Sequence, residues 1–256
     1  MQLHFRKLGE GKPVVILHGL LGSSDNLQTF AKSLANTGNC VYTPDLRNHG
    51  LSPHDDSMNY QVLADDVHEL FLSENLSNVL LIGHSLGGKT AMTLSYEHPE
   101  SISGLVVIDI SPRKYPVQHR KILDTLLQVD LSVVKSRKEV EQILNSNLDE
   151  NSEIQFLLKN LYWKEKDQLG WRFNLDVINA NIQEVGKATL PKKTFHKPTL
   201  FIKGEKSNYI TYDDEREIFE LFENVEVKTA PGAGHWVHAD NLNWLLQVVF
   251  EFQLKL

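Results

Sequence analysis

The sequence lacks several features that would place it outside the ordinary globular proteins. Only one of its 256 residues is cysteine, Cys40, so neither an internal disulfide nor a cysteine-rich zinc site can form. It contains no stretch of roughly 18 consecutive apolar residues and no N-terminal signal pattern. The net charge is −7, which leaves no basic surface for nucleic acid. We therefore expect a cytoplasmic protein without a membrane span that does not bind nucleic acid.

Short apolar runs alternate with segments of helical periodicity. The runs at residues 14–17, 79–82, 105–108 and 199–203 are of the kind found in strands buried on both faces of a sheet. Strands that alternate with helices in this way form parallel sheets with helices on both sides. The sequence therefore predicts an α/β protein with a doubly wound, mostly parallel sheet.

The pattern changes between residues 113 and 196. Apolar residues recur there at helical spacing, and no buried strand pattern is evident. We interpret this segment as a helical cap inserted before the penultimate core strand, which leaves residues 1–112 and 197–256 as the core. The alternative is an ordinary set of covering helices.

One strand-to-helix junction carries a Gly-x-Ser-x-Gly pattern, formed by Gly83, Ser85 and Gly87. Such a short pattern also arises by chance, but here it follows an apolar strand and precedes a helix-compatible segment. A serine on so sharp a turn exposes its hydroxyl at a helix N-terminus. We predict that Ser85 is a nucleophile and that the N–H of Leu86 stabilises an oxyanion.

Two further loops complete this pattern. His18 and Gly19 follow the first buried strand, where the N–H of Leu20 can be a second oxyanion donor and His18 braces the loop. Near the C-terminus, a glycine-rich loop presents His235, a candidate general base. A charged loop holds Asp45 and Arg47, which we expect to pair with each other and fix the shape of the loop; the alternative is that they act on the substrate.

These motifs, in this order, resemble those of the α/β-hydrolase fold. Four segments are similar to those of the YbfF-type carboxylesterases: Arg47-Asn48-His49-Gly50, the Gly83–Lys89 turn that holds Ser85, residues 108–112, and the residues after His235. The resemblance implies an acyl-enzyme on Ser85, with His235 as the base. It also implies a small-molecule acyl ester or thioester as substrate and no metal or organic cofactor.

The acid of the triad departs from the common family pattern. Many members carry Gly-x-x-Asp after the strand at residues 199–203, whereas this chain has Ser207 at the aspartate position. Asp109 follows the preceding core strand, and the YbfF resemblance implies that it orients His235, with Ser207 adding a hydrogen bond. The alternative acids are Glu205, Asp213 and Asp214.

We predict a serine carboxylesterase or thioesterase that acts on short to medium acyl chains. A carbon–carbon bond hydrolase or lyase of the same fold is the first alternative, and a non-catalytic ligand-binding protein is the second. Candidate pocket residues are Trp236, Arg172, Trp171 and Phe173, although the aromatic side chains could equally be core.

Overall fold

A computed structural model describes residues 1–116, 119–189 and 194–256. Seven of the strands form one sheet, in the order β1-β3-β2-β4-β5-β8-β9, and the other two form a hairpin. The strands are β1 (Phe5–Leu8), β2 (Lys12–Leu17), β3 (Asn39–Pro44), β4 (Val79–His84), β5 (Ile102–Ile108), β6 (Leu161–Glu165), β7 (Gln168–Trp171), β8 (Thr199–Gly204) and β9 (Val225–Ala230).

The large sheet is mostly parallel, as the sequence predicts. β1 runs antiparallel to β3, and every other neighbouring pair in this sheet is parallel. From β2 the chain first adds β3 on one side and then β4 on the other, so the order reverses between β2 and β4. In open α/β sheets, ligands bind beyond the carboxyl ends of the strands at such a reversal.

Helices cover both faces of the sheet. They are α1 (Gln28–Ala35), α2 (Tyr60–Ser73), α3 (Leu86–Glu97), α4 (Arg120–Gln128), α5 (Arg137–Asn147), α6 (Asn151–Leu158), α7 (Leu175–Ala180), α8 (Ile182–Val185), α9 (Tyr212–Leu221), α10 (Val237–Asp240) and α11 (Leu242–Gln253). Alternate β2 residues enter opposite cores: Val14 and Ile16 pack with α1 and α11, whereas Val15 and Leu17 pack with α2 and α3. Burial on both faces explains the continuous apolar runs.

The segment between β5 and β8 contains helices α4 to α8 and the β6–β7 hairpin. The helices agree with the predicted spacing. The strands of the hairpin are largely exposed, so they carry no buried strand pattern and were not predicted. The hairpin turns at Lys166 and Asp167, and Asp167 has a φ of +64°. Because the turn has no glycine, the usual hairpin signal is missing. Residues 117–118 and 190–193 of the predicted cap lie outside the described residues.

Among the residues that the structure describes, no helix is both long enough and apolar enough to cross a membrane.

Candidate active site

Ser85 lies at the turn between β4 and α3. Its φ of +53° and ψ of −116° are uncommon for a residue with a side chain. The backbone N–H of Ser85 donates to the Ile108 carbonyl at 3.0 Å, which ties the turn to β5. A Cβ on Gly83 would lie 2.2 Å from the Gly87 carbonyl oxygen, so the tight turn requires glycine there.

The loop after β2 lies directly against this turn. A Cβ on Gly19 would lie 3.4 Å from the Ser85 Cβ, which shows how closely the two loops approach. His18 braces the loop, since its Nε2 accepts from the Leu46 N–H at 2.9 Å and its Nδ1 donates to the Gly19 carbonyl at 2.8 Å. Burial lowers the pKa of His18, so the ring is neutral in this role.

The expected pair between Asp45 and Arg47 is wrong. Arg47 instead reaches α2, where its Nε lies 2.6 Å from the Asp66 carboxylate. The Asp45 carboxylate accepts from the Ser24 N–H at 2.7 Å and the Leu51 N–H at 2.9 Å. Both charged side chains stabilise this loop, but each through a different partner. Their close spacing in the sequence does not show which partner each one has.

His235 contacts a buried carboxylate. Its Nδ1 lies 2.7 Å from Asp109 Oδ2, and Asp109 is fully buried at the end of β5, with a φ of +51°. The Gly204 N–H donates to Asp109 Oδ1 at 2.8 Å, and the Ser207 hydroxyl donates to Oδ2. Asp109 is therefore held by three hydrogen bonds, one of them from His235.

The alternative acids are engaged elsewhere. Asp214 accepts from Thr211 and Ser111, and it lies 2.6 Å from the Arg113 guanidinium. Glu205 accepts from the Gly232 N–H at 2.7 Å. Among the described residues, no hydrogen bond joins His235 to Glu205, Asp213 or Asp214.

The rings of Tyr209, His84 and Trp236 pack around His235. The Tyr209 ring stacks on it, with centroids 4.0 Å apart and an interplanar angle of 20°. The His84 Nε2 donates to the His235 carbonyl at 2.9 Å, and burial lowers the pKa of His84 well below its usual value. Sequence reasoning missed Tyr209, because a lone aromatic residue in a loop carries no periodic signal.

Ser85 lines two cavities of very different size. A cavity of about 280 Å³ is bounded by Leu20, His235 and Trp236 together with Ser85. A cavity of about 30 Å³ is bounded by Leu86 and residues of the β5–β8 segment, again with Ser85. Both cavities also include His119, which sequence reasoning missed because it lies outside every motif.

Three of the four predicted pocket residues lie elsewhere. Trp236 lines the larger cavity, whereas Trp171, Arg172 and Phe173 line neither cavity at Ser85. The rings of Trp171 and Phe173 stack on each other at 5.3 Å, and the Arg172 guanidinium lies 4.7 Å over the Tyr162 ring. Of the two alternatives for the aromatic side chains, core packing therefore fits Trp171 and Phe173, and Arg172 packs on the hairpin and does not line the cavity.

Serine hydrolases combine a serine on a strand-to-helix turn, a histidine with a buried carboxylate partner, and a second loop that lies close to the serine. All three are present here. The sequence matches the family described as alpha/beta hydrolase fold over residues 12–242. This chain belongs to the α/β-hydrolase family.

Similar proteins support a narrower class. The chain is 38% identical over 249 residues to the sn-1-specific diacylglycerol lipase ABHD11 of Xenopus laevis, covering 94% of this chain and 80% of that one. It is 36% identical over 239 residues to the esterase YbfF of Escherichia coli K12, with coverage of 93% and 91%. A solved marine microorganism esterase is 43% identical, with a TM-score of 0.96 and coverage of 98% and 99%. The predicted class, an ester hydrolase resembling YbfF-type esterases, is confirmed.

Proposed function

We propose that this protein is a serine carboxylesterase that forms an acyl-enzyme on Ser85, with His235 as the base and Asp109 as the acid. The observation that carries the proposal is the 2.7 Å contact between His235 Nδ1 and Asp109 Oδ2. Ser85 and His235 also line the same cavity of about 280 Å³. The esterase and lipase names of the relatives favour an acyl ester as the substrate.

The geometry suggests how each group acts. With its Nδ1–H donated to Asp109, neutral His235 keeps a lone pair on Nε2 that can take the Ser85 proton. The N–H groups of Leu20 and Leu86, on either side of Ser85, would hold the oxyanion. His235 then protonates the leaving group and activates the water that cleaves the acyl-enzyme. Because a thioester presents the same acyl carbonyl, it is a second possible substrate of this mechanism.

We also propose that residues 113–196 act as a cap over the core formed by residues 1–112 and 197–256. Helices α4 to α8 interrupt the chain between β5 and β8, and His119 and Glu153 from this segment line the cavity at Ser85. A cap in this place would exclude water and shape the substrate site.

The carbon–carbon bond hydrolase alternative predicts polar cap residues that face Ser85, with Arg172 as a candidate. The Arg172 guanidinium instead lies over the Tyr162 ring. Two other polar residues of this segment, His119 and Glu153, do line the cavity at Ser85. Ester hydrolysis is therefore favoured over this alternative by the esterase and lipase names of the relatives.

Hydrolysis of p-nitrophenyl acetate by wild type and Ser85→Ala tests the proposal. We expect the variant to lose at least about 10³-fold in kcat, because the nucleophile is gone. Ser73→Ala is the matched control, since Ser73 is exposed on α2, and it should retain wild-type activity. Wild-type turnover by Ser85→Ala would overturn the proposal.

A further inference from the structure

The two cavities at Ser85 divide the site into a small and a large compartment. The small compartment, about 30 Å³, is bounded by Leu86, Ile182 and Val185. The large compartment, about 280 Å³, is bounded by Leu20, His235 and Phe156. Ser85, His119 and Tyr209 belong to both, so the two compartments meet at the nucleophile. A substrate carbonyl at Ser85 must therefore direct one half of the ester into each compartment.

His235 decides which half goes where. It lines the large compartment and not the small one. In the proposed mechanism His235 gives its proton to the leaving alcohol, so the alcohol must lie on the side of His235. The alcohol half therefore occupies the large compartment, and the acyl half extends into the small one.

The two proposed oxyanion donors agree with this orientation. Leu20 bounds the large compartment and Leu86 bounds the small one. A carbonyl oxygen held by both N–H groups lies where the compartments meet. The two remaining substituents of the carbonyl carbon then point to opposite sides.

The small compartment is apolar despite its tyrosines. The Tyr60 hydroxyl donates to the Val185 carbonyl at 2.6 Å. The Tyr115 hydroxyl accepts from the Ser111 N–H at 2.9 Å and donates to the Tyr209 carbonyl. Both of these hydroxyls already have partners, and among the described residues no charged side chain lines this compartment, so burying a charged acyl chain there would be costly. It therefore suits an alkyl group.

The walls of the small compartment are fixed by hydrogen bonds between the two ends of the β5–β8 segment. The Tyr115 N–H donates to the Gly186 carbonyl at 2.8 Å, and the Thr189 N–H donates to the Pro112 carbonyl at 2.8 Å. The buried Lys89 ammonium, one turn after Ser85, donates to the Arg113 carbonyl at 2.7 Å and also to the Lys187 carbonyl. These contacts hold Tyr115 and Gly186, which line the small compartment, in place.

We propose that the acyl half is restricted to acetyl or propionyl, held in the small compartment, and that the alcohol half is the larger and more variable one. A cavity of about 30 Å³ holds roughly two water molecules, which matches a methyl or ethyl group. This inference rests on the proposed esterase function and adds the orientation and size of its substrate.

Two ester series test the orientation in the wild-type enzyme. In the first, p-nitrophenyl acetate, propionate, butyrate and hexanoate vary only the acyl chain. In the second, ethyl, butyl and hexyl acetate vary only the alcohol. We expect kcat/KM to fall at least about 100-fold from propionate to hexanoate, because extra methylenes have no room. Across the acetates, we expect it to vary less than about tenfold.

Substitutions in each compartment sharpen this test. Ile182→Ala and Val185→Ala enlarge the small compartment, so each should raise the hexanoate-to-acetate ratio of kcat/KM by about tenfold or more. Phe156→Ala, in the large compartment, is the matched control and should leave that ratio unchanged.

The outcomes separate the two proposals. A wild-type enzyme that prefers hexanoate to acetate, or Ile182→Ala and Val185→Ala variants with unchanged ratios, would overturn the orientation while leaving the esterase function intact. Absence of Ser85-dependent hydrolysis of every ester would remove the proposed function, and the orientation with it.

Discussion

The core loops and the β5–β8 segment contribute to the same cavities in different ways. The loops after β2, β4 and β5 hold Leu21, Ser85 and Asp109 at positive φ values of +58°, +53° and +51°. Such backbone angles persist only where the surrounding structure fixes them. The β5–β8 segment contributes His119, Glu153 and Ile182 from helices or their ends, without such strain. We infer that the core sets the chemistry and the segment sets the choice of substrate.

If the core sets the chemistry, the largest loss of activity is expected from a substitution of Asp109. Asp109→Asn should lower kcat by at least about 10³-fold, because the amide cannot hold His235 in the tautomer that the base needs. Asp214→Asn is the matched control, since Asp214 is equally buried but pairs with Arg113, and its kcat should stay near wild type. Steady-state hydrolysis of p-nitrophenyl acetate measures both. A similar loss in the two variants would contradict the role of Asp109.

A smaller effect is expected at Ser207, which holds Asp109 from the core side. Its hydroxyl donates to Asp109 and accepts from the Tyr209 N–H at 3.2 Å. Ser207→Ala should lower kcat about tenfold, in keeping with one hydrogen bond to a charged group. Ser207→Thr, which retains the hydroxyl, should recover most of the activity. If Ser207→Ala has wild-type kcat, Ser207 does not support the acid.

In the β5–β8 segment we expect a change in selectivity. The Glu153 carboxylate lines the large compartment, and within the described residues it makes no ion pair. Burial raises its pKa, so the repulsion of an anionic alcohol by the ionised carboxylate should increase as the pH rises.

Glu153→Gln should raise kcat/KM for the acetyl ester of glycolate about three- to tenfold, and leave that of glycolamide unchanged. Glu220→Gln, an exposed charge on α9, serves as the control. Equal changes for both esters would indicate that charge is not what Glu153 contributes.

The smallest effect is expected from His119, the second histidine of the cavities. Burial lowers its pKa to about 4, so the protonated form predominates only below that pH and the ring is neutral near pH 7. His119→Gln should therefore leave the midpoint of the kcat/KM profile between about pH 6 and 8 unchanged. A shifted midpoint would show that His119 takes part in proton transfer.

The same contrast explains how much could be predicted from the sequence. The parallel sheet followed from its apolar runs, and the turn at Ser85 followed from two glycines that allow a close approach. The choice of Asp109 over Glu205, Asp213 and Asp214 depended on a family resemblance, because only the folded chain shows that the loops after β5 and β8 meet at His235. Trp171 and Arg172 were misplaced, since apolar or cationic character does not tell which face of a helical or hairpin segment meets the cavity.

The most direct test of the account is the intact mass after reaction with diisopropyl fluorophosphate, followed by peptide mapping. We predict a single adduct on Ser85 in wild type, no adduct in Ser85→Ala, and labelling at least about 100-fold slower in Asp109→Asn. An unlabelled wild-type protein, an adduct on another residue, or an unchanged rate in Asp109→Asn would contradict a Ser85–His235–Asp109 site.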